Sequence, residues 1–424
     1  MKNKDLTYYK NQISKYAYCT VGPVIYEFTV WVLQELRRSG ITKVYFLARD
    51  GYLPYLCALE LCKAYFTEIQ PIYLFTSRIA LRTPTYHFIG DEAFRLLTLD
   101  GYRVTPRGLL NRALLNEKIE NKILSELGIK NPDKPLNKKE LDLLRGKLYK
   151  SSTYKNAYLN ASRLAYKPAI QYFYGMGLFD NDVVAIVDSG WTGSMQRSLR
   201  QLLESCGFKG VIHGYYFGMY EDGRDKRYGE YHTFYFNKRC GLLRKVNFNN
   251  NLFECMLSAN HPMTIGYKFE NEKAIPVFAK EAKREMQELI FSQTDGALSY
   301  IKEKITFDEE LKDKGQSVRK CYKILKRAMT QPTKEEAEIY GYFNFCDDTT
   351  EGYSIPLSAK EATHNLSEYS LVKRAFMRIF NKDSKARLIW PYGTLAYTAR
   401  CKQAWYRFNI FLWDVIKYLR NSLL

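Results

Sequence analysis

Long apolar segments and paired cysteines are both missing from this sequence. No run of ~18 uncharged apolar residues occurs, and residues 1–15 are polar and basic, without the apolar stretch of a signal peptide. The nine cysteines include no CxxC pair and no Cys/His cluster with the spacing of a zinc site. We therefore expect a protein that is neither secreted nor membrane-spanning, with reduced thiols and no disulfide framework.

Low-complexity segments, flexible linkers and internal repeats are also absent from the 424 residues. A hydrophobic content of 46%, with 15% aromatic residues, indicates a folded globular protein. The formal net charge of +19 indicates an anionic partner, namely nucleic acid, an acidic membrane surface or a phosphorylated substrate. A solvated basic surface with no such role is the alternative. No zinc-finger, RNP or helix-turn-helix signature is present, so we expect no nucleic-acid partner.

Strand and helix patterns alternate in two separate parts of the chain. The predicted elements are, in order, helix Tyr26–Arg38, strand Lys43–Leu47, helix Pro54–Ala64, strand Ile72–Phe75, strand Val183–Val187, helix Met195–Cys206 and strand Gly210–Phe217. Strands that alternate with helices are typical of parallel sheets. We therefore predict an α/β fold in which both parts contribute to one parallel, Rossmann-like sheet.

Helical patterns dominate the rest of the sequence. We predict an α/β core formed by residues 1–90 and 168–270, interrupted by a helical insertion at 91–167. Residues 271–424 are predicted to form a mainly helical C-terminal region that binds the acceptor or a membrane. Long helical patterns cover Phe278–Lys304 and Ser317–Met329, and strand signals become rare after about Phe269.

The last segment, Ala399–Leu424, combines aromatic and basic residues at helical spacing. It fits an interfacial helix, with its aromatic side chains in the bilayer and its cations facing anionic headgroups. It fits equally a helix that packs its aromatic side chains on the protein. We expect a cytoplasmic protein, and the first interpretation adds peripheral attachment to the cytoplasmic face of the inner membrane.

The segment Val183–Ser194 carries the clearest chemical pattern. Its apolar strand leads to Asp188 and then to a turn of small residues before a helix, namely Ser189, Gly190, Thr192, Gly193 and Ser194. Backbone N–H groups of such a turn and of the helix N-terminus bind phosphate, and the hydroxyls add donors. Asp188 repels phosphate but can accept hydrogen bonds from neighbouring sugar hydroxyls. The alternative is structural, with Asp188 as a helix cap and the glycines as turn formers.

Two further strands end in charged turns. Tyr45–Tyr55 carries Arg49 and Asp50 between a strand and a helix, and Phe75–Arg82 carries Ser77, Arg78 and Arg82 after the next strand. Ligands of parallel sheets bind at the carboxyl ends of the strands, so these side chains are expected at one sheet edge. Surface turns with solvated or locally paired charges are the alternative.

These motifs resemble those of the type I phosphoribosyltransferases. VVAIVDSGWTGS is similar to their motif for 5-phosphoribosyl 1-diphosphate (PRPP), although Ser189 replaces the second acid and the loop is one residue shorter and contains Trp191. YFLARDGYLPY resembles their pyrophosphate loop, which implies that Arg49 contacts a diphosphate oxygen. The resemblance implies that PRPP contacts Arg49, Asp50, Gly51, Tyr52, Ser77, Arg78, Asp188, Ser189, Gly190, Trp191, Thr192, Gly193 and Ser194.

A narrower resemblance covers most of residues 20–270 through GPVIYEF, YFLARDGYL, SRIAL, VDSGWTGSMQ and FECMLSANHPMTIGY. These segments are similar to phosphoribosyltransferases that install ribofuranose in bacterial capsules and O antigens. The resemblance implies inverting transfer of 5-phosphoribosyl from PRPP to a hydroxyl of a lipid-linked or growing polysaccharide, with release of diphosphate. Mg²⁺ would enter with PRPP, with Asp50 as its only candidate protein contact. A separate phosphatase would be needed, because no DxDxT motif is present.

The expected catalytic residues are Asp50, Asp188 and Glu254. Asp50 or Glu254 is preferred as the base that takes the acceptor proton, because the family role of the acid at Asp188 is to hold the ribose diol. His261 is interpreted as a loop or cap residue.

Two other functions remain open. One is a haloacid-dehalogenase-like phosphatase with Asp50 or Asp188 as nucleophile, although the DxD spacing is missing. The other is a basic, membrane-associated binding protein of polysaccharide assembly.

Overall fold

A parallel five-stranded sheet forms the centre of the computed structural model, which describes residues 5–101, 103–221, 226–307, 314–345, 355–370, 373 and 388–423. Its strands are β1 (Lys43–Leu47), β2 (Gln70–Leu74), β3 (Val183–Trp191), β4 (Val211–Met219) and β5 (Glu230–Phe236). They lie in the order β2-β1-β3-β4-β5, and every neighbouring pair is parallel. The predicted α/β fold with one parallel sheet built from both parts of the chain is confirmed.

Helices surround this sheet and form most of the rest of the described chain. They are α1 (Leu6–Tyr16), α2 (Gly22–Arg38), α3 (Tyr52–Ala64), α4 (Arg78–Arg82), α5 (Asp91–Leu97), α6 (Pro106–Asn111), α7 (Glu117–Glu126), α8 (Lys138–Lys150), α9 (Ser152–Gly175), α10 (Ser194–Glu204), α11 (Leu242–Val246), α12 (Asn250–Met256), α13 (Arg284–Phe307), α14 (Lys314–Thr330) and α15 (Lys334–Gly341). A π-helical turn at Ala17–Val21 joins α1 to α2, and the chain closes with helices Pro391–Leu395 and Arg400–Leu423.

Alternate residues of each strand enter two different cores, because successive strand side chains point to opposite faces of a sheet. On β1, Val44 and Phe46 pack with α2, α3 and α13, whereas Tyr45 and Leu47 pack with α4, α9 and α10. Both faces of the sheet are therefore covered, and its ligands can approach only from an edge or from the strand ends.

Strand β3 is longer than the sequence pattern predicted. We expected it to end at Val187 and to leave Ser189–Ser194 as a turn. Instead β4 continues to pair with it, opposing Asp188 with Tyr216 and Trp191 with Met219. The apolar pattern could not reveal this extension, because the added residues are polar, small or aromatic and gain their hydrogen bonds from the neighbouring strand.

Several other boundaries differ from the prediction. Strand β5 was not predicted, and an antiparallel hairpin of β6 (Thr264–Glu270) and β7 (Lys273–Phe278) lies where strand signals had become rare. The helix predicted from Phe278 begins only at Arg284. Phe278, the first residue of the predicted helix, instead ends β7 and pairs with Thr264, so strand pairing overrides the helical pattern at that position.

The helical segments between β2 and β3 form a third core of their own. Its buried residues come from α5 to α8 and from Tyr154 and Tyr158 on α9. The other end of α9 contributes Ala169 and Phe173 to the core beneath the sheet. This helix runs through the predicted boundary at 167, so it belongs to both units.

A buried ion pair connects the sheet layer with the C-terminal helices. Glu27 on α2 is only 2% exposed, and Lys320 on α14 donates to its Oε1 over 2.7 Å. Ser317 donates to its other oxygen, and Lys320 also contacts the hydroxyl of Tyr300. The carboxylate thus keeps hydrogen bonds that compensate for its lost hydration.

Replacing Lys320→Met should lower the free energy of unfolding by about 3 kcal/mol, because it leaves the Glu27 charge buried without its cation. Chemical denaturation measures this loss. The matched variant Lys323→Met removes an exposed lysine from the same helix and should change stability by less than about 0.5 kcal/mol. Equal effects of the two substitutions would contradict the importance of the buried pair.

Candidate active site

A cavity of about 250 Å³ opens at the carboxyl ends of β1 and β3. In the order β2-β1-β3-β4-β5, the connections after β1 and β3 diverge to opposite sides, which leaves a crevice between these two strands. The predicted site residues that line it are Arg49, Asp50, Ser77, Arg78, Asp188, Ser189, Gly190, Trp191, Thr192, Ser194 and Glu254. The polar residues that follow β1 and β2, the end of β3 and helix α12 thus meet at this cavity.

Some lining residues were not predicted, and some predicted residues do not line the cavity. Thr76 and Met263 contribute to the wall. Thr76 directly precedes Ser77 and could have been included on position alone, whereas Met263 carried no chemical signal. The predicted contacts Gly51, Tyr52 and Gly193 do not line this cavity, and their contact with substrate stays a prediction.

Asp188 lies in the last part of β3, with its carboxyl group facing the cavity. The backbone N–H groups of Ser189 and Gly190 donate to it. Burial raises the pKa of Asp188 to about 7, the nearby charge of Asp50 raises it further, and the backbone donors and Arg78 oppose the shift. The group therefore exchanges its proton near neutral pH.

Asp50 follows β1 and is held by β3. The Ser189 hydroxyl donates to Asp50 Oδ2. Burial raises the pKa of Asp50, while the Ser189 hydrogen bond and the charges of Arg49 and Arg78 lower it. Ser189 itself is buried. Ser189 also lines the cavity, so its predicted contact with substrate stays a prediction, to which the structure adds that its hydroxyl orients Asp50.

Glu254 enters the cavity from α12 and is oriented by Trp191. The indole Nε1 donates to Glu254 Oε1 over 2.6 Å. Burial raises the pKa of Glu254 to about 8, the charges of Asp50 and Asp188 add to the shift, and Arg78 and the indole hydrogen bond oppose it. Trp191 thus acts through Glu254, although it was predicted as a direct substrate contact.

Close packing of β3 and β4 explains the glycine before this tryptophan. Gly190 has φ +108°, and a Cβ atom there would collide with the carbonyl oxygen of Gly218. Trp191 follows with φ +70°, a left-handed conformation that is uncommon for a bulky residue. The backbone turns in this way to present the indole to Glu254 at the end of the strand.

The turn of small residues that was predicted to bind phosphate is shorter than expected, and it leads directly into α10. It consists of Thr192 and Gly193, and Gly193 adopts φ +66°. No side chain caps the N-terminus of α10, while Thr192 and Ser194 both line the cavity. The first-turn N–H groups and two hydroxyls therefore form a concave donor set suited to an anion.

The loop after β1 offers fewer backbone donors than a phosphate-clasping loop requires. The amide of Ala48 donates to Leu74, that of Gly51 to Leu47 and that of Tyr52 to Arg49. A Cβ atom on Gly51 would lie 2.5 Å from the Leu47 oxygen, so the glycine permits this tight return. Anion contacts by this loop therefore rest mainly on the side chain of Arg49.

Ser77, Tyr52 and His261 make hydrogen bonds or ring contacts that stabilise the fold around the cavity. The Ser77 hydroxyl donates to the Thr264 carbonyl over 2.6 Å and accepts from the amide of Ala80, capping α4. The rings of Tyr52 and His261 pack against Tyr73, whose hydroxyl lies 2.6 Å from His261 Nε2. The interpretation of His261 as a loop residue agrees with these contacts.

The donor set can accept a metal only as part of a substrate complex. Within the described ranges, no three carboxyl, imidazole or thiol groups are arranged to hold a metal ion. Asp50 faces the cavity and can supply one oxygen to an ion whose other ligands are phosphate oxygens and water, as Mg²⁺ prefers. The residues therefore fit Mg²⁺ that enters already bound to a diphosphate.

Comparison with known proteins does not assign the chain to a family. A scan against protein-family models finds no match, and a search of curated proteins finds no similar sequence.

The raised carboxyl pKa values predict how stability depends on pH. Between the ordinary carboxyl pKa and about pH 8, the folded protein binds more protons than the unfolded chain, so these groups lower stability as pH rises. The double variant Asp188→Asn/Glu254→Gln should therefore be more stable than wild type at about pH 8, with the difference shrinking toward about pH 5. Thermal denaturation across this range, without ligand, measures the effect.

Asp182→Asn is the matched control, because Asp182 is exposed just before β3. It should follow the wild-type pH dependence. A double variant whose stability runs parallel to wild type at every pH would contradict the raised pKa values.

Proposed function

We propose that the chain is a phosphoribosyltransferase that transfers 5-phosphoribosyl from PRPP to a hydroxyl group of a bacterial polysaccharide. The observation that carries this proposal is the cavity in which a phosphate-type donor set, a carboxyl group for sugar hydroxyls and two arginines meet. PRPP carries a phosphate, a vicinal diol and a diphosphate, and each of these groups has a complementary partner there.

The 5-phosphate fits the N-terminal turn of α10. The uncapped amides and the hydroxyls of Thr192 and Ser194 provide donors, and the positive end of the helix favours a dianion. Asp188 lies directly before this turn on β3 and accepts hydrogen bonds from the ribose 2- and 3-hydroxyls. The short distance along the chain between the two groups matches their proximity in a ribose 5-phosphate.

The diphosphate fits the side of the cavity formed by the turns after β1 and β2. Arg49 and Arg78 line this side, and their guanidinium groups stabilise the charge that develops as diphosphate leaves. Mg²⁺ bound to the diphosphate supplies further neutralisation of the leaving group. Asp50, held by Ser189, faces this complex and helps to orient it.

Glu254 is the proposed base. A new bond forms between the acceptor oxygen and ribose C1 while the bond from C1 to the diphosphate oxygen breaks, which inverts C1 to the β configuration. The acceptor proton passes to the ionised form of Glu254, which burial makes a stronger base than an ordinary carboxylate and which becomes the major form above about pH 8. Trp191 fixes the carboxylate through the indole hydrogen bond.

We infer the nature of the acceptor from the sequence resemblance. In this proposal a lipid-linked or growing polysaccharide supplies the hydroxyl, and a separate phosphatase removes the 5-phosphate from the product. Incubating the chain with PRPP, Mg²⁺ and a panel of glycan acceptors tests the class directly by mass spectrometry. A mass gain of one phosphoribosyl unit is expected, whereas release of phosphate from a phosphosugar without transfer would favour a phosphatase.

Asp188→Asn should lower diphosphate release from PRPP in the presence of acceptor by about 100-fold, because a charged partner of the ribose diol is lost. An enzyme-coupled diphosphate assay measures this rate. The control Asp182→Asn makes the same change at the opposite end of β3 and should keep wild-type turnover. Wild-type turnover by Asp188→Asn, with its fold intact by circular dichroism, would remove Asp188 from the site.

Peripheral membrane attachment is a second element of the proposal, and it rests on helix Arg400–Leu423. No helix in the described part of the chain has both the length and the apolar character needed to cross a bilayer. One face of this helix packs on the protein through Asn409 and Ile410. The same helix exposes Trp405 by 56% and Phe408 by 58%, and Ile416 and Leu419 continue this stripe along the helix.

Exposed cations border this stripe at Lys402, Lys417 and Arg420. Apolar side chains between cations suit the interface of an anionic membrane, and the net charge of +19 adds a general attraction. Attachment there would bring the cavity near a lipid-linked acceptor.

The double variant Trp405→Ser/Phe408→Ser should bind phosphatidylglycerol vesicles at least about 10-fold more weakly than wild type, because two apolar anchors are lost. Vesicle sedimentation measures the binding. The control Phe291→Ser/Leu164→Ser removes two equally exposed apolar residues elsewhere and should bind as wild type does. Equal binding by all three proteins would contradict the interfacial role of this helix.

A further inference from the structure

A group of arginines lies beside the cavity, along the line where α4 packs against α10. Arg82 is one helical turn beyond Arg78, the arginine that lines the cavity. It is only 8% exposed, and its Nε has no hydrogen-bond partner among the described atoms. Arg197, in the first turn of α10, likewise has a buried Nε without a partner in the described part of the protein.

The described residues give Arg82 and Arg197 no ion-pair partner, whereas the charge of Arg78 acts on Asp50, Asp188 and Glu254 across the cavity. Arg78, Arg82 and Arg197 take part in no ion pair with a described carboxylate. Arg197 instead lies over the ring of Tyr228, with 5.6 Å from its guanidinium carbon to the ring centroid. Arg112, which is also nearby, donates to the carbonyl groups of Leu97 and Leu99.

Electrostatics make this arrangement unfavourable without an anion. Burial lowers the pKa of Arg82 to about 10, the neutral phenol of Tyr86 opposes the shift, and the charges of Arg78, Arg197 and Arg112 add to it. A buried, unpaired cation lowers stability because lost hydration is not replaced. The buried guanidinium of Arg82, which the charge of the partly buried Arg197 also reaches, is therefore suited to a ligand of opposite charge.

We propose that Arg82 and Arg197 form an anion subsite that binds a phosphate group of a phosphorylated carbohydrate. A phosphate dianion balances two guanidinium charges and can accept hydrogen bonds from both planar groups at once. Arg82 and Arg197 do not line the cavity themselves, and the subsite lies one helical turn beyond Arg78 on α4 and in the first turn of α10. It requires only phosphate binding and does not depend on the transfer reaction proposed above.

Two phosphates could occupy this subsite. One is the 5-phosphate of the ribosyl donor, shared with the N-terminal turn of α10, and the other is a phosphate carried by the acceptor. Both have the chemistry that two arginines recognise, and binding measurements with ribose 5-phosphate distinguish them.

Calorimetric titration of the full chain with inorganic phosphate tests the subsite through Arg82→Gln and Arg197→Gln. Each variant should bind phosphate at least about 10-fold more weakly than wild type, since a charge-assisted contact is lost. Without phosphate, Arg82→Gln should melt at a higher temperature than wild type, because an unpaired buried charge has been removed. The control Arg319→Gln removes an exposed arginine on α14 and should bind as wild type does.

Unchanged phosphate affinity in both variants, or no phosphate binding by wild type, would overturn the subsite. If Arg82→Gln does not fold, the less buried Arg197→Gln carries the affinity test alone. A parallel loss of ribose 5-phosphate affinity would support the subsite with the donor phosphate as its ligand. Retained ribose 5-phosphate binding with lost inorganic phosphate binding would support it with the acceptor phosphate. Both titrations measure binding and require no turnover. A protein that binds phosphate at this subsite but does not catalyse the transfer would therefore contradict the proposed function and not the subsite.

Discussion

The burial of three carboxyl groups around one cavity is the constraint on which the candidate site depends. Burial raises the pKa of Asp50, Asp188 and Glu254, and the charge of Asp50 contributes to the raised pKa of the other two. The charge of Arg78 opposes the rise of all three pKa values. Such an arrangement is unfavourable in an empty cavity and becomes favourable when a ligand brings hydroxyl groups and a cation. These groups lower the stability of the ligand-free protein, and the same groups form a site that is arranged to bind a ligand.

The sheet order makes this concentration of charge achievable. Strands β1 and β3 are neighbours, so the turn after β1 and the end of β3 meet without any long loop. Each carboxyl group is then fixed by a different donor: Ser189 for Asp50, the indole of Trp191 for Glu254 and backbone amides for Asp188. All three donor groups come from β3 itself, so this strand both carries one acid and orients the others.

Sequence patterns could predict the parallel sheet and the meeting of three polar strand ends, because apolar strands followed by polar turns obey general rules of α/β folds. They could not predict that β3 continues through Trp191, since this depends on pairing with β4. The hydrogen bonds of Ser189 to Asp50 and of Trp191 to Glu254 were therefore not predicted, while the substrate contacts expected of both residues stay predictions. The burial of Arg82 could not be predicted from the sequence either, because it depends on how α4 packs against α10. The β6–β7 hairpin could not be predicted because it depends on pairing between its two strands.

The most direct test of the central claim is a crystal structure of the chain with Mg²⁺ and a non-hydrolysable carbocyclic analogue of PRPP. The proposal predicts the 5-phosphate at Thr192–Ser194, the ring hydroxyls within hydrogen-bond distance of Asp188 and the diphosphate beside Arg49 and Arg78. A complex in which the analogue binds elsewhere, or in which saturating analogue leaves this cavity empty, would contradict it.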